Sequence, residues 1–218
     1  MAKKKKPSAS SLIDLYMDFV LENNHKPKSV YAFSKVNGFD ESDFYGFFSS
    51  FESMEKQIFK VMFDASLETM TSSDDYNDYD ARQKLLSFYY TFFANLTANR
   101  SFIMYLLAHG KPSLKNMAIL SELKRAFGSY VDDLEIETID TKQERIEKIK
   151  DRSIRESAWI QLLITMKFWM DDSSPSFEKT DIFIEKAVNT SFDLMDIKPI
   201  NSLIDLGKFL LKEKMNMN

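Results

Sequence analysis

The stretch from residue 29 to residue 48 reads SVYAFSKVNGFDESDFYGFF, and it decides the fold of the first part of the chain. Apolar side chains recur at helical spacing over residues 29–36, and Gly38 then ends this segment as a C-cap would. Asp40 can cap a second short helix over residues 40–47. Two short helices that meet at a glycine are typical of a helix-turn-helix, whose second helix enters the major groove of DNA. We therefore predict a helix-turn-helix with its tight turn at Gly38.

Helical patterns continue on both sides of this stretch. Residues 11–23 place apolar side chains on one helical face, and residues 52–70 form a longer fourth helix. The five prolines all fall between periodic segments, and a proline inside a helix would cost about 3 kcal/mol. Further helices are predicted over residues 81–99, 101–109, 113–134, 141–171, 176–195 and 201–214. The predicted fold class is all-α, with a three-helix unit followed by a larger helical bundle.

The composition excludes several classes of site. The chain has 218 residues and no cysteine, which excludes a disulfide framework, a thiolate zinc site and a cysteine nucleophile. Its five glycines are too dispersed for a dinucleotide or phosphate loop. The aspartates of residues 74–80 lack the central glycine of a calcium loop. We expect no enzymatic activity, no metal and no cofactor.

Neither membrane insertion nor secretion is expected from the sequence. The lysines at positions 3–6 are not followed by an apolar run of the length found in signal peptides. The most apolar stretches, residues 85–96 and 158–170, are too short to span a bilayer. We therefore expect a cytoplasmic protein with no membrane partner.

The first three predicted helices resemble the DNA-binding unit of the TetR family of bacterial repressors. In that family the second helix begins with Ser or Thr, an apolar-small-Lys step leads to the glycine, and the third helix ends in a Tyr with a Phe three residues later. The matching residues here are Ser29, Phe33, Ser34, Lys35, Gly38, Tyr45 and Phe48. Residues 168–173 and 178–181 are also similar to a C-terminal variant found in TetR-like proteins of the Bacteroidetes.

This resemblance implies a function and a division of the chain. It implies a ligand-responsive homodimer that binds a pseudo-palindromic operator in double-stranded DNA, with repression as the expected mode. Residues 1–51 would be the DNA-binding domain with its basic N-terminal tail, and residues 52–218 the ligand-binding and dimerisation domain. We expect the DNA contacts to come from Lys28, Ser29, Tyr31, Lys35, Ser42, Phe44 and Tyr45.

The charges of the DNA-binding unit leave an alternative open. Residues 1–36 contain seven lysines against three acids, a balance of +4, whereas residues 37–56 contain five acids against one lysine, a balance of −4. Cations that contact phosphates supply much of the affinity for DNA. In addition, Phe51 stands where TetR-like repressors usually have a lysine that meets the DNA backbone. The alternative is a TetR-like fold that has lost DNA binding and carries a lipid or another apolar ligand, or binds a protein partner.

A ligand pocket and a dimer interface are expected in the second part of the chain. Aromatic side chains crowd several helices, as in apolar ligand sites, although at helical spacing they also suit an ordinary core. The residues expected to line a pocket for an apolar, uncharged ligand are Phe88, Tyr89, Phe92, Phe93, Phe102, Tyr105, Trp159 and Phe168. In TetR-like homodimers the last long helices form a four-helix bundle, and one face of the helix over residues 176–195 contains small residues that would permit close approach of a second copy. The same face also suits an ordinary helix that packs on the core of its own chain. The residues expected in that interface are Ile184, Ala187, Val188, Ser191 and Met195.

Overall fold

The structure is a computed structural model, and it describes residues 6–108, 118–134, 136 and 144–195, without the side chains of residues 108 and 144–150. Within these ranges the chain forms α-helices and two short 3₁₀ segments and contains no strand, which confirms the predicted all-α fold. The helix predicted over residues 201–214 lies outside the described residues. None of the described helices is long and apolar enough to cross a membrane.

The helix-turn-helix is built by local signals that the sequence contains. Helix α1 spans Ala9–Asn23, α2 spans Val30–Asn37 and α3 spans Glu41–Tyr45. Ser29 caps α2, because its hydroxyl accepts a hydrogen bond from the amide of Ala32 at 3.1 Å. Gly38 ends α2 with φ at 72°, in the left-handed region that favours glycine. The turn therefore lies where the sequence predicts it.

The remaining helices are longer. Helix α4 spans Phe51–Thr71, and Ser50 caps it with its hydroxyl. It is followed by a 3₁₀ segment over Asp74–Asp78. The other described helices are α5 (Ala81–Ala98), α6 (Arg100–Ala108), α7 (Ser121–Asp133), α8 (Glu144–Asp171) and α9 (Glu178–Met195), with a 3₁₀ segment over Pro175–Phe177 between the last two.

The chain divides into two compact units. The first contains the described residues of 1–72 and 91–127, and the second those of 73–90 and 128–218. Helix α6 thus belongs with the helix-turn-helix, and α8 and α9 belong to the other unit. The boundary predicted between residues 51 and 52 separates a DNA-binding domain from a ligand-binding and dimerisation domain. The compact units do not test this division by function, so it stays a prediction.

Aromatic rings hold the three short helices of the first unit together. Phe33 of α2 is fully buried and meets Phe44 of α3 edge to face, with ring centroids 6.4 Å apart. It meets Tyr16 of α1 in the same way at 6.3 Å. Tyr16 in turn contacts Phe102 of α6 at 6.1 Å. Each such pair adds about 0.5–1.5 kcal/mol beyond the burial of its area, so these contacts fix the angles between α1, α2 and α3.

Asp172 organises the connection between α8 and α9. One carboxylate oxygen accepts from the amide and hydroxyl of Ser174, at 2.8 and 2.7 Å, and the other accepts from the amide and hydroxyl of Thr180, at 3.0 and 2.7 Å. Burial disfavours the charged form, but these four donors outweigh it and lower the pKa of Asp172 to about 2. The carboxylate thereby holds a turn in which Ser176 and Phe177 both have positive φ.

Candidate functional site

The outward side of α2 and α3 presents polar and aromatic side chains to solvent. Tyr31 and Tyr45 are 60% and 54% exposed, and Lys28, Lys35 and Ser42 are exposed as well. Lys35 lies one turn after Tyr31, with its ammonium 6.0 Å from the centre of that ring. We call these five residues the reading face. It combines two cations, two phenols and a hydroxyl, which are groups that can contact phosphates and base edges.

Two of the residues expected to contact DNA have other places in the structure. Ser29 is exposed, but its hydroxyl oxygen is engaged in capping α2. Phe44 is fully buried among Phe33, Phe48 and Phe51, so its prediction as a DNA contact is wrong. The physical reason is that α3 turns Phe44 toward the core. Phe47, two residues after the end of α3, is a further exposed aromatic side chain and was not among the predicted DNA contacts.

The acids of α3 are partly engaged within their own helix. The amide of Asp40 donates to the carboxylate of Asp43 at 3.2 Å, a contact that stabilises the start of α3. The hydroxyl of Tyr45 lies 3.5 Å from the carboxylate of Glu41, at the limit of a hydrogen bond. The negative charges nevertheless remain beside the reading face. They lower its attraction for phosphates, while a carboxylate there can accept a hydrogen bond from the amino group of cytosine.

Lys26 and Phe51 both make contacts within the protein. The ammonium of Lys26 lies 2.7 Å from both carboxylate oxygens of Glu55, which is buried in α4. The same carboxylate accepts a short hydrogen bond from the hydroxyl of Tyr16. Burial together with this hydrogen bond raises the pKa of Tyr16. Phe51, at the position of the usual backbone-binding lysine, is 8% exposed and stacks on Tyr16. These contacts leave Lys28 and Lys35 as the cations of the reading face.

The aromatic residues expected to form a ligand pocket are divided between the two compact units. Phe92, Phe93, Phe102 and Tyr105 belong to the first unit, whereas Phe88, Tyr89, Trp159 and Phe168 belong to the second. Most of them are core side chains, and burial raises the pKa of the Tyr89 hydroxyl. The structure therefore does not gather them into one site within either unit. The helical spacing of the buried ones reflects core packing.

A cavity of about 800 Å³ lies within the second unit, between α8 and α9. Ala158, Gln161 and Ile164 line it from α8, and Ala187 and Ser191 line it from α9. Leu85 of α5 and Ile136 complete its apolar wall. None of the eight aromatic residues predicted for the pocket is among its described lining residues. The aromatic pattern of the sequence does not indicate this cavity, because most of its walls come from small and aliphatic residues.

Two of the five residues expected in a dimer interface are core residues of their own unit. Ile184 and Val188 are fully buried, and Ala187, Ser191 and Met195 are half-buried and line the cavity. The prediction that Ile184 and Val188 meet a second copy is therefore wrong for this arrangement of α8 and α9. An apolar stripe that faces the core and one that faces a partner have the same spacing in a sequence.

A different apolar surface remains exposed on this helix pair. Ile160 and Ile164 of α8 are each 54% exposed, one turn apart, and Leu194 of α9 is also exposed. Phe168 and Phe183 stack between the two helices with ring centroids 4.5 Å apart. We call these five residues the α8–α9 face. The signal that could have found it is the spacing of residues 160, 164 and 168 along one side of α8.

Comparisons with known proteins agree with the fold and with the C-terminal part of the sequence. A family model described as the tetracyclin repressor-like C-terminal domain matches residues 84–210. The structure is similar to the crystal structure of the TetR transcriptional regulator from Nitrosomonas europaea ATCC 19718, with a TM-score of 0.59 and 13% sequence identity. That similarity covers 84% of this chain and 97% of the other. No curated protein matches the sequence.

These two findings support different conclusions. The structural similarity concerns the fold alone, because the sequence identity is low. The family model covers more than half of the chain and rests on its sequence. The resemblance of the first three helices is thus joined by independent evidence from the other end of the molecule. The chain belongs to the TetR family of transcriptional regulators.

Proposed function

We propose that the protein is a dimeric, ligand-responsive repressor that binds a pseudo-palindromic operator through the reading face. The observation that carries this proposal is the geometry at Gly38, which joins α2 to α3 and leaves Tyr31, Lys35 and Tyr45 exposed on these helices, with Lys28 exposed two residues before α2. The proposal assigns the protein no catalytic role and places its action in the cytoplasm, where the DNA is.

The side chains of the reading face suggest which DNA groups each would contact. Lys28 and Lys35 would neutralise phosphates, and the hydroxyl groups of Tyr31, Ser42 and Tyr45 can donate to phosphate oxygens or base edges. Phe47 and Val36, both more than half exposed beside this face, can pack against thymine methyl groups. Because there are few cations, we expect moderate affinity and a larger share of apolar base contacts than in a lysine-rich reading helix.

Dimerisation is proposed through the α8–α9 face. Burial of apolar surface contributes about 25 cal/mol per Å², so five apolar side chains at the surface of two neighbouring helices favour association. A two-fold axis would bring α8 and α9 of each copy together as four helices. Two reading faces related by that axis would require two inverted half-sites in the operator.

In a dimer of this kind, repression and the response to a ligand would both depend on how tightly the operator is bound. A dimer on an operator would block access of RNA polymerase to an overlapping promoter. A ligand that binds the second unit would release the operator if it favours a state with lower DNA affinity. A reporter fused to a promoter that overlaps the operator, measured in cells with and without the gene for this protein, would show whether transcription rises when the protein is absent.

Selection of binding sites from random duplex DNA at two salt concentrations tests the proposal directly. We expect enrichment of a two-fold symmetric sequence at low salt and weaker retention at high salt. The double variant Lys28→Glu and Lys35→Glu should lose the enrichment while it keeps the helical circular dichroism spectrum. An unenriched pool at the lower salt concentration would contradict DNA binding by this protein.

The second candidate function is a TetR-like protein without a DNA target. It is favoured by the inward position of Phe51 and by the acids Asp40, Glu41 and Asp43 beside the reading face. In that case the exposed aromatic residues Tyr31, Tyr45 and Phe47 would serve a protein or lipid partner. Two results together would support this function. The binding-site selection would enrich no DNA sequence, and mass spectrometry of an organic extract of the purified protein would identify a bound lipid.

A further inference from the structure

We infer that the cavity between α8 and α9 binds an amphipathic carboxylate, with an apolar chain and an anionic head, and that a second copy of the chain closes the site. The inference rests on the proposed dimer, because the cavity opens on the α8–α9 face. It adds the chemical class of the ligand and a site that is incomplete in a single chain.

The walls of the cavity suit an apolar chain. Ile154 and Ala158 of α8, Ala187 and Phe192 of α9, and Leu85 of α5 present hydrocarbon to it. Its volume of about 800 Å³ lies within the range of small-molecule pockets, which is about 300–1,000 Å³. Small residues of both helices, among them Ala158 and Ala187, line this space. An acyl chain fits a cavity with such walls.

A polar atom without a partner lies in the same walls. The Gln161 side chain accepts a hydrogen bond from the hydroxyl of Ser191 at 2.6 Å through Oε1. Its Nε2 is buried and has no hydrogen-bond partner among the residues that the structure describes. A buried amide with one unpaired polar atom is unfavourable unless another molecule satisfies it. A ligand with an oxygen atom at this position would accept the hydrogen bond that Nε2 can donate.

The charge in the cavity determines the sign of the ligand head. Among the described lining residues, Lys186 of α9 is the single charged side chain, and no carboxylate lines the cavity with it. Lys186 is exposed and forms no ion pair within the described part of the chain. A carboxylate would gain a charge-assisted contact with this ammonium. A cationic ligand would be repelled.

The opening of the cavity explains why a second copy is needed. Ile160, Ile164 and Leu194 belong both to the lining and to the exposed α8–α9 face. In a single chain an acyl chain bound here would therefore stay in contact with water on that side. A second copy packed on the face would cover it and bury the ligand from both sides. Ligand and dimer should then stabilise each other by linkage.

Titration of the full chain with decanoate and with 1-decanol, followed by isothermal calorimetry, tests the head group. We expect decanoate to bind at least tenfold more tightly than the alcohol. Lys186→Met should remove most of this preference. The matched control is Lys179→Met, which removes an exposed lysine from the same helix outside the cavity and should leave the preference unchanged. Ala158→Leu, which fills the cavity, should weaken both compounds.

Sedimentation velocity with and without decanoate tests the role of the second copy. We expect decanoate to lower the dissociation constant of the dimer at least fivefold in the wild type and not in Ala158→Leu. A dimer that forms normally but binds neither compound would overturn this inference and leave the proposed dimer intact. A protein that stays monomeric at all concentrations would contradict the proposed dimer. If that monomer still bound one decanoate per chain, the site would need no second copy, and this part of the inference would be wrong.

Discussion

Phe51 stacks on Tyr16 with ring centroids 5.2 Å apart and ring planes at 16°. Phe51 is the first residue of α4, at the position where a TetR-like repressor usually has a lysine that contacts the DNA backbone. Phe51 also meets Phe33 and Phe44 edge to face, at 5.6 and 5.3 Å. The residue has thus become part of the core that sets the angles of the helix-turn-helix.

Replacement of Phe51 by Ala should therefore destabilise the protein strongly. We expect the free energy of unfolding to fall by about 3 kcal/mol, as for other buried phenylalanines. Urea unfolding followed by circular dichroism measures it. The matched control is Phe47→Ala, which truncates an exposed ring nearby and should cost less than about 0.5 kcal/mol. Equal losses for the two variants would contradict the structural role of Phe51.

The lysines of the first unit should differ in their effect on DNA binding. In a dimer, Lys28→Ala or Lys35→Ala removes one phosphate contact from each copy. The slope of log K against log salt concentration should therefore become shallower by about 2 for each variant. Fluorescence anisotropy with the selected operator at several salt concentrations measures this slope.

Lys26 provides the comparison for these two variants. Because its ammonium contacts the buried carboxylate of Glu55, Lys26→Ala should leave the salt slope nearly unchanged. It should instead lower the melting temperature, since it leaves a buried charge without its partner. A change of slope as large as that of Lys28→Ala would place Lys26 on the DNA after all.

The sequence predicted the helix-turn-helix well because its signals are local. Ser29 as a cap and Gly38 as a turn residue act through their own backbone, so neighbouring residues suffice to place them. The orientation of Phe44 depends instead on how α3 packs against α2 and α4, which the spacing of residues within α3 cannot specify. Ile184 and Val188 show the same limit, because an apolar stripe does not state whether its neighbour is another helix of the chain or a second copy. The cavity was missed because it arises from the space between α8 and α9.

Asp172 should make the stability of the protein depend on pH. Its pKa is about 2 in the folded chain and near 3.8 when unfolded, so the folded state favours the ionised form. The resulting stabilisation is complete above about pH 4 and is lost as the pH falls through about 2. We expect Asp172→Asn to lower the melting temperature at pH 7, and the difference from wild type to shrink between pH 4 and pH 2.

Asp171→Asn is the matched control for this pH dependence. Asp171 is exposed and pairs with Lys167 one turn earlier on α8, an arrangement that contributes little to stability. Thermal melts of the two variants and the wild type at several pH values separate the roles of the neighbouring carboxylates. A difference for Asp172→Asn that stays constant down to pH 2 would show that the four hydrogen bonds do not depend on its charge.

The α8–α9 face should be required for dimerisation. Ile164→Glu places a charge among apolar residues that a second copy would bury, so we expect the variant to sediment as a folded monomer at concentrations where the wild type is a dimer. Ile182→Glu is the matched control, since Ile182 is exposed to a similar degree on α9 but lies outside the α8–α9 face and the cavity lining. Sedimentation velocity gives the mass, and circular dichroism shows whether each variant is folded. Dissociation of the Ile182→Glu variant alone would move the interface to the part of α9 that contains Ile182.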